Sequence, residues 1–317
     1  MNICVLGGSG FVGTELVSRL VRAGHWVRVP TRDPRHAERL RVLATVELQR
    51  ANVHEPQVLG QLFAGCDAVI NLVGILNSHG RATFDSVHTA LAARVLTAAR
   101  AAGVRRLLHM SSLGAGEQAP SRYLRSKGAA ETLLRSQPPG DAPLPAVTIF
   151  RPSVIFGAGD SLTNRFAELL RLCAGWLPLA RAGARFAPVS VADVAEALVR
   201  ALDTPAGCGR TYELCGPEVM TLEEIVRLTA QVAGLPCHIV RLPDVIARLQ
   251  GVVLGLLPGK PFSLDNFRSL RLDSLCREDG CAALGIRPRG MSAIVPTYLG
   301  GESLQARLDR YRAASAR

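Results

Sequence analysis

Aromatic residues are scarce in this chain: Phe, Trp and Tyr together make up 5% of its 317 residues. With so few rings to stack on bases, and no basic block interleaved with aromatics, nucleic acid is set aside as a partner even though the net charge is +11. Arginine supplies most of that charge and is spread along the chain, as solvated helix faces would have it. The cysteines, Cys4, Cys66, Cys173, Cys208, Cys215, Cys237, Cys276 and Cys281, form no CxxC pair and have no histidine partner at zinc spacing. That excludes a zinc reading and leaves reduced cytosolic thiols as the expectation, with no metal site. No apolar run reaches the roughly 20 residues needed to span a bilayer. The nearest approach, Val245 to Leu257, is short and contains Arg248, so it reads as a candidate surface for a membrane or a partner. A charged leader with an apolar core and a cleavage site is missing as well, and the expected location is the cytoplasm, including the cytoplasmic face of a membrane.

What is present is a large apolar fraction, 48%, enough for one large core or for a core and a smaller lobe. Strand-like runs recur at Ile3 to Leu6, Trp26 to Pro30, Val46 to Gln49, Ala68 to Val73, Arg106 to Met110 and Val147 to Phe150, with helical stretches between most of them. Ala90 to Ala102 is rich in helix formers and is stopped by Gly103. Alternation at this spacing predicts an α/β fold, a doubly wound parallel Rossmann sheet over residues 1–157. The Pro/Gly-rich stretch Gln137 to Pro145 reads as a surface connection. Beyond Gly157 the helices are separated by turn signals such as Gly216-Pro217 and Leu257-Pro258-Gly259, with short strands near Thr211 to Leu214 and His238 to Leu242. Residues 158–317 are therefore expected to form mainly a smaller lobe for substrate or partner, with segments near 185–215 as candidates to rejoin the first domain.

Gly7-Gly8-Ser9-Gly10-Phe11-Val12-Gly13 lies between the first strand and an amphipathic helix. Strand, glycine turn and helix in this order cradle a dinucleotide pyrophosphate: the glycines allow a tight turn and close approach, and the helix N-terminus offers amide donors. Gly7, Ser9, Gly10, Phe11, Val12 and Gly13 are thus candidate cofactor residues. Farther on, Tyr123-Leu124-Arg125-Ser126-Lys127 follows the fifth strand at the start of a helix expected over Ser121 to Arg135. A spacing of four puts both side chains on one helical face. There a lysine ammonium would lower the phenol's pKa and could hold a ribose, which makes Tyr123 the candidate general acid/base and Lys127 its partner.

These motifs resemble the extended short-chain dehydrogenases/reductases, and more narrowly the atypical branch that contains the NADPH-binding accessory subunit of respiratory complex I and its bacterial relatives. Further segments carry the likeness: Asn71-Leu72-Val73-Gly74-Ile75-Leu76, His109 to Ala115, Arg151 to Gly157, Pro188 to Ala195 and Asp265-Asn266. The resemblance implies that Leu72, Val73 and Gly74 run beneath the adenine ribose and pyrophosphate. It also implies that Asn52 and Val53 flank the adenine, that Ser111 belongs to the cofactor site, and that Pro152 and Val154 meet the nicotinamide carboxamide. Asp193 falls in a segment that joins two lobes in this family and is expected to be structural.

Cofactor choice turns on the end of the second strand, where an NAD site wants a carboxylate. Val29-Pro30-Thr31-Arg32-Asp33 instead offers Arg32 to a 2′-phosphate, favouring NADP(H), with NAD(H) as the alternative. Arg35 is a candidate second contact, and Asp33 before Pro34 reads as a helix N-cap. Two departures from the resemblance stand out. Leu113 occupies the place expected of a catalytic hydroxyl, with Ser111-Ser112 too early, and His88 stands where a helix asparagine would be, either as a proton relay or as a packing histidine. Thr221 and Glu224 form a capping box, not an acid/base pair.

Three functions are left open: an NADP(H)-dependent oxidoreductase acting on an unidentified carbonyl or alcohol, a catalytically silent NADPH-binding subunit of a respiratory or membrane-associated assembly, and a nucleotide-sugar epimerase/dehydratase. The sequence does not fix substrate or oligomeric state.

Overall fold

The computed structural model describes every residue except 81, 137–144, 205–208, 257–261 and 301–317. Most of the connection expected at Gln137 to Pro145, the Leu257-Pro258-Gly259 turn and Cys208 lie outside the described residues. In chain order the elements are β1 (Asn2–Leu6), α1 (Phe11–Arg22), β2 (Trp26–Thr31), α2 (Glu38–Arg41), β3 (Val46–Arg50), α3 (Pro56–Phe63), β4 (Ala68–Asn71), α4 (Ala90–Ala101), β5 (Arg106–Met110), α5 (Arg122–Ser136) and β6 (Ala146–Pro152). There follow β7 (Ile155–Phe156), α6 (Thr163–Leu172), β8 (Trp176–Ala180), β9 (Arg185–Phe186), β10 (Val189–Ser190), α7 (Val191–Asp203) and β11 (Thr211–Leu214). The last are β12 (Met220–Thr221), α8 (Leu222–Ala233), β13 (His238–Leu242), α9 (Asp244–Leu256), α10 (Leu264–Ser269), α11 (Gly280–Ala283) and α12 (Met291–Leu299).

Two compact units share this chain. The first takes Met1–Pro152, Ala192–Leu214 and Arg277–Ile286, and the second takes Ser153–Val191, Cys215–Cys276 and Arg287–Arg317. In the first unit one sheet runs β11-β6-β5-β4-β1-β2-β3 with every neighbouring pair parallel. Strand order reverses at β1 and β4, and in doubly wound sheets ligands bind at the carboxyl ends of that pair. Helix α4 buries Leu91, Ala92, Val95, Leu96 and Ala99, a one-sided stripe, and ends where Gly103 takes φ +68°. Together with Leu59 and Phe63 of α3 and Leu134 of α5, this stripe covers Val69, Leu107 and Val147 of the sheet. Arg19 of α1 pairs with Glu196 of α7 at 2.9 Å.

Local chemistry sets several boundaries. β4 stops at Asn71 rather than running to Val73, because the Asn71 side chain accepts the Val73 N–H at 3.1 Å and turns the chain. α5 begins one residue late because Ser121 is used to cap it, accepting the Leu124 N–H at 3.2 Å. In the second unit, Leu177 and Leu179 of β8 pack with Leu170 of α6 and Val226 of α8. α8 carries the expected capping box, Thr221 and Glu224 each accepting the other's backbone N–H. Asp160 accepts from the Thr163 and Gly157 backbones and from the Tyr298 hydroxyl, which ties α12 to the start of α6. Cys215 and Cys276 form a disulfide with Cα atoms 6.0 Å apart. The expectation of reduced thiols throughout fails here, since the fold brings together two residues separated by 61 positions, which spacing alone does not reveal.

Candidate active site

The glycine turn after β1 is built around contacts that a side chain would block. Gly7 has φ +78°, and a Cβ there would lie 3.3 Å from the Leu72 carbonyl carbon and the Val73 nitrogen, so the loops after β1 and β4 are pressed together. At Gly13 a Cβ would stand 2.2 Å from the Gly7 carbonyl oxygen, which lets α1 start directly on the turn. Gly10 is the N-cap of α1 and has no side chain to satisfy the first amides of the helix, at Phe11 and Val12. Ser9 is half-buried and Gly10 exposed beside these donors. The arrangement is an anion cradle at a helix N-terminus.

A cavity of about 380 Å³ opens at the ends of β2 and β3, lined by Arg32, Arg50, Asn52 and Glu55 among others. Arg32 and Arg50 are both exposed at its rim. Arg35 does not join them, because its guanidinium is forked onto the Asp33 carboxylate at 2.9 to 3.2 Å while Asp33 also caps the turn at Pro34. Arg50, not Arg35, is the second cation here. It ends β3 by position alone, and the sequence offered no motif for it. Asn52 bonds Glu55 and the His54 amide, and Val53 is half-buried beside it.

Tyr123 and Lys127 come together on α5 next to the loop after β4. A Cβ on Gly74 would stand 3.4 Å from Lys127 Nζ and 3.5 Å from His88 Nε2. Lys127 is 4% exposed and its ammonium donates to the Met110 carbonyl at 2.8 Å. Burial pulls its pKa from the usual 10.5 down to about 8, and the Glu131 carboxylate one turn along opposes that pull. Burial pushes the half-buried Tyr123 phenol up, and what pulls it back is a hydrogen bond from the Ser112 hydroxyl. Burial outweighs that bond, so the phenol stays above its ordinary value, while one of the Lys127 ammonium's donors is taken up by Met110. The Ser112 hydroxyl also lies 3.3 Å from the Leu113 carbonyl oxygen. Leu113 itself is buried, with its amide on the Pro152 carbonyl at 3.0 Å.

Ser111 is turned away from this group. Its hydroxyl donates to Glu131 Oε1 at 2.5 Å, and Glu131 also receives Arg151 at 2.9 and 2.6 Å and Arg135 at 2.8 Å. Glu131, 1% exposed, is thus a carboxylate anchored by two guanidiniums and a hydroxyl directly behind Lys127. The spacing Tyr123, Lys127, Glu131 repeats every four residues along one helix face, a signal that would have found it. His88 accepts the Ile75 amide at Nε2 (3.0 Å), so Nδ1 carries the proton toward Ser126 at 2.8 Å. Burial and the Lys127 charge push it down to about 3, so the imidazole is neutral near pH 7. His109 is likewise driven down to about 3, with Nδ1 facing the Asn71 amide. Pro152 ends β6 in the first unit and is buried, Val154 belongs to the second unit, and Asp193 is buried in the first turn of α7.

Comparison with known proteins agrees with this geometry. Residues 3–215 match the model of the NAD dependent epimerase/dehydratase family. The chain is 32% identical over 279 residues to the mitochondrial NADH dehydrogenase [ubiquinone] 1 alpha subcomplex subunit 9 of Arabidopsis thaliana, covering 86% of this chain and 68% of that one. It is 32% identical over 243 residues to the ceramide reductase of Caulobacter vibrioides, covering 76% and 74%. The solved structure of MoeE5 in complex with UDP-glucose and NAD superposes with a TM-score of 0.74 at 19% identity, covering 99% of this chain and 100% of that one. The parallel seven-stranded sheet, the glycine turn and the Tyr123/Lys127 pair therefore belong to a member of the NAD dependent epimerase/dehydratase family, an extended short-chain dehydrogenase/reductase.

Proposed function

We propose that this chain is an NADP(H)-dependent oxidoreductase that interconverts a carbonyl and an alcohol. The observation that carries the reading is the hydroxyl, phenol and ammonium of Ser112, Tyr123 and Lys127, set at the carboxyl ends of β4 and β5 beside the glycine turn. Tyr123 gives the proton to the substrate oxygen during reduction and takes it back during oxidation, and Ser112 steadies both the phenol and the oxygen it serves. Lys127 holds the cofactor ribose. When bound, the nicotinamide supplies or accepts the hydride.

The residues present fit such a cofactor. Gly7, Ser9, Gly10, Phe11, Val12 and Gly13 offer the uncapped helix start to the pyrophosphate, with Leu72, Val73 and Gly74 beneath it. Asn52 and Val53 border the adenine, and Pro152 is assigned to the carboxamide. Arg32 and Arg50 on one cavity supply the positive charge that a 2′-phosphate requires, which supports NADP(H) over NAD(H). Ser111, held by Glu131, is assigned to the scaffold instead.

The test is NADPH consumption with a panel of carbonyl compounds, paired with mass spectrometry of nucleotide released on denaturation. Exchangeable NADPH oxidised by one of them, with activity lost in Tyr123→Phe, supports the enzyme. A second reading, a silent NADPH-binding subunit of a respiratory assembly, is favoured by the Arabidopsis relative and by the Lys127 ammonium being engaged at Met110. Tightly held NADPH that no carbonyl oxidises would select it.

A further inference from the structure

Helix α9 turns an apolar face outward. Its buried positions are Ala247 and Gly251, and a Cβ on Gly251 would lie 3.2 Å from the Leu264 backbone at the start of α10. On the opposite side Val245, Ile246, Leu249, Val252, Val253 and Leu256 are between 49% and 84% exposed. At the helical periodicity these six fill one continuous arc of about 120°. The arc carries no charge. At its margin Arg248 is exposed, with its guanidinium 6.0 Å from the Phe267 ring centroid. Asp244, at the foot of the helix, is paired with Arg181.

The apolar surface continues onto the strands beneath. Trp176, Pro178 and Ala180 share one side of β8, and His238, Val240 and Leu242 the same side of its parallel partner β13. Ala180 and Leu242 are covered by the α9 cluster, while Trp176, stacked on His238 at 4.9 Å, and Val240 are left exposed. Among the described residues no helix is long and apolar enough to cross a membrane. An uncharged arc, an arginine margin and an adjacent exposed tryptophan are the elements of a helix that lies in a bilayer interface. The margin and the net charge of +11 complement negative headgroups.

We propose that α9 seats this protein on an anionic lipid bilayer, its six apolar residues among the acyl chains and Arg248 at the phosphates. This does not depend on the oxidoreductase reading. The experiment is cosedimentation of the full chain with phosphatidylcholine vesicles, with and without phosphatidylglycerol, in rising salt. Binding to the phosphatidylglycerol vesicles that weakens with salt is expected, and Leu249→Glu with Val253→Glu should reduce it at least about tenfold, as loss of buried apolar area demands. Both positions are exposed, so an unchanged melting temperature shows the fold intact. Arg248→Glu should reduce the preference for phosphatidylglycerol while leaving the apolar arc in place. Failure of the parent chain to sediment with either vesicle overturns the proposal, as does binding undiminished in the double variant. So does an oligomer that the double variant dissociates, since the face would then belong to a second copy.

Discussion

Lys127 carries a charge where water barely reaches, and this should leave a thermodynamic trace. Its folded pKa of about 8 lies below the 10.5 of the exposed side chain. Between those values the unfolded chain binds a proton that the native state has released, so stability rises with pH across that window. The gain is complete above 10.5 and is lost as pH falls through 8. The difference, 10.5 − 8, converted at 1.36 kcal/mol for each pH unit, amounts to about 3 kcal/mol. Lys127→Met removes the titrating group and keeps most of the stem. It also leaves the Met110 carbonyl without its donor, at a cost of about 1 kcal/mol, but that offset does not vary with pH and drops out of the comparison. Urea unfolding of both proteins should therefore show the parent gaining about 3 kcal/mol on the variant between about pH 7 and pH 11. A difference that stays flat with pH would refute the burial of a charged amine. A difference of opposite sign would mean that Glu131 outweighs desolvation.

Other consequences are as direct. Glu131→Ala takes from Arg151 its two short hydrogen bonds, leaving Glu213 at 3.9 Å, and should cost about 1.5–3 kcal/mol, read as a lowered urea midpoint; a loss below about 1 kcal/mol would show that the cluster does not brace α5. Arg32→Ala combined with Arg50→Ala should weaken NADPH far more than NADH in fluorescence titrations, and equal losses would remove the 2′-phosphate assignment. Ser112→Ala should lower carbonyl reduction about 100-fold, the effect typical of losing one donor at a developing charge, and should move the phenol's limb of the pH–rate profile upward. A profile unmoved by that change would place Ser112 outside the mechanism.

The fold was legible wherever local pattern and long-range pairing coincide. β5 lies at Arg106–Met110 and β13 at His238–Leu242, where alternation and turn signals put them. Thr211–Leu214 was equally readable as a strand, but its attachment to the sheet rests on pairing with Ile149 to Pro152, far away in sequence. At the site, Tyr123, Lys127 and the glycines announce themselves through spacing. Ser112 did not, because the loop after β5 turns between Ser111 and Leu113, and a shift of one residue decides which side chain faces the phenol. Arg50 and Glu131 escaped for a related reason: each is ordinary in its own element and becomes notable only beside Arg32 or Lys127.

The route of the chain through its two units has a consequence for how the protein is made. The first unit's sheet is closed by β11, and α11 then packs on that strand so tightly that a Cβ on Gly280 would stand 2.4 Å from the Glu213 carbonyl. Between the end of β6 and the start of α7, and again between β11 and Arg277, the chain leaves to build the other unit. A ribosome delivering this polypeptide has thus exposed the β6 edge long before the strand and helix that finish it have left the exit tunnel. Neither unit can be cut out as one continuous stretch of gene, and a premature stop before Arg277 would release a sheet still lacking its last brace.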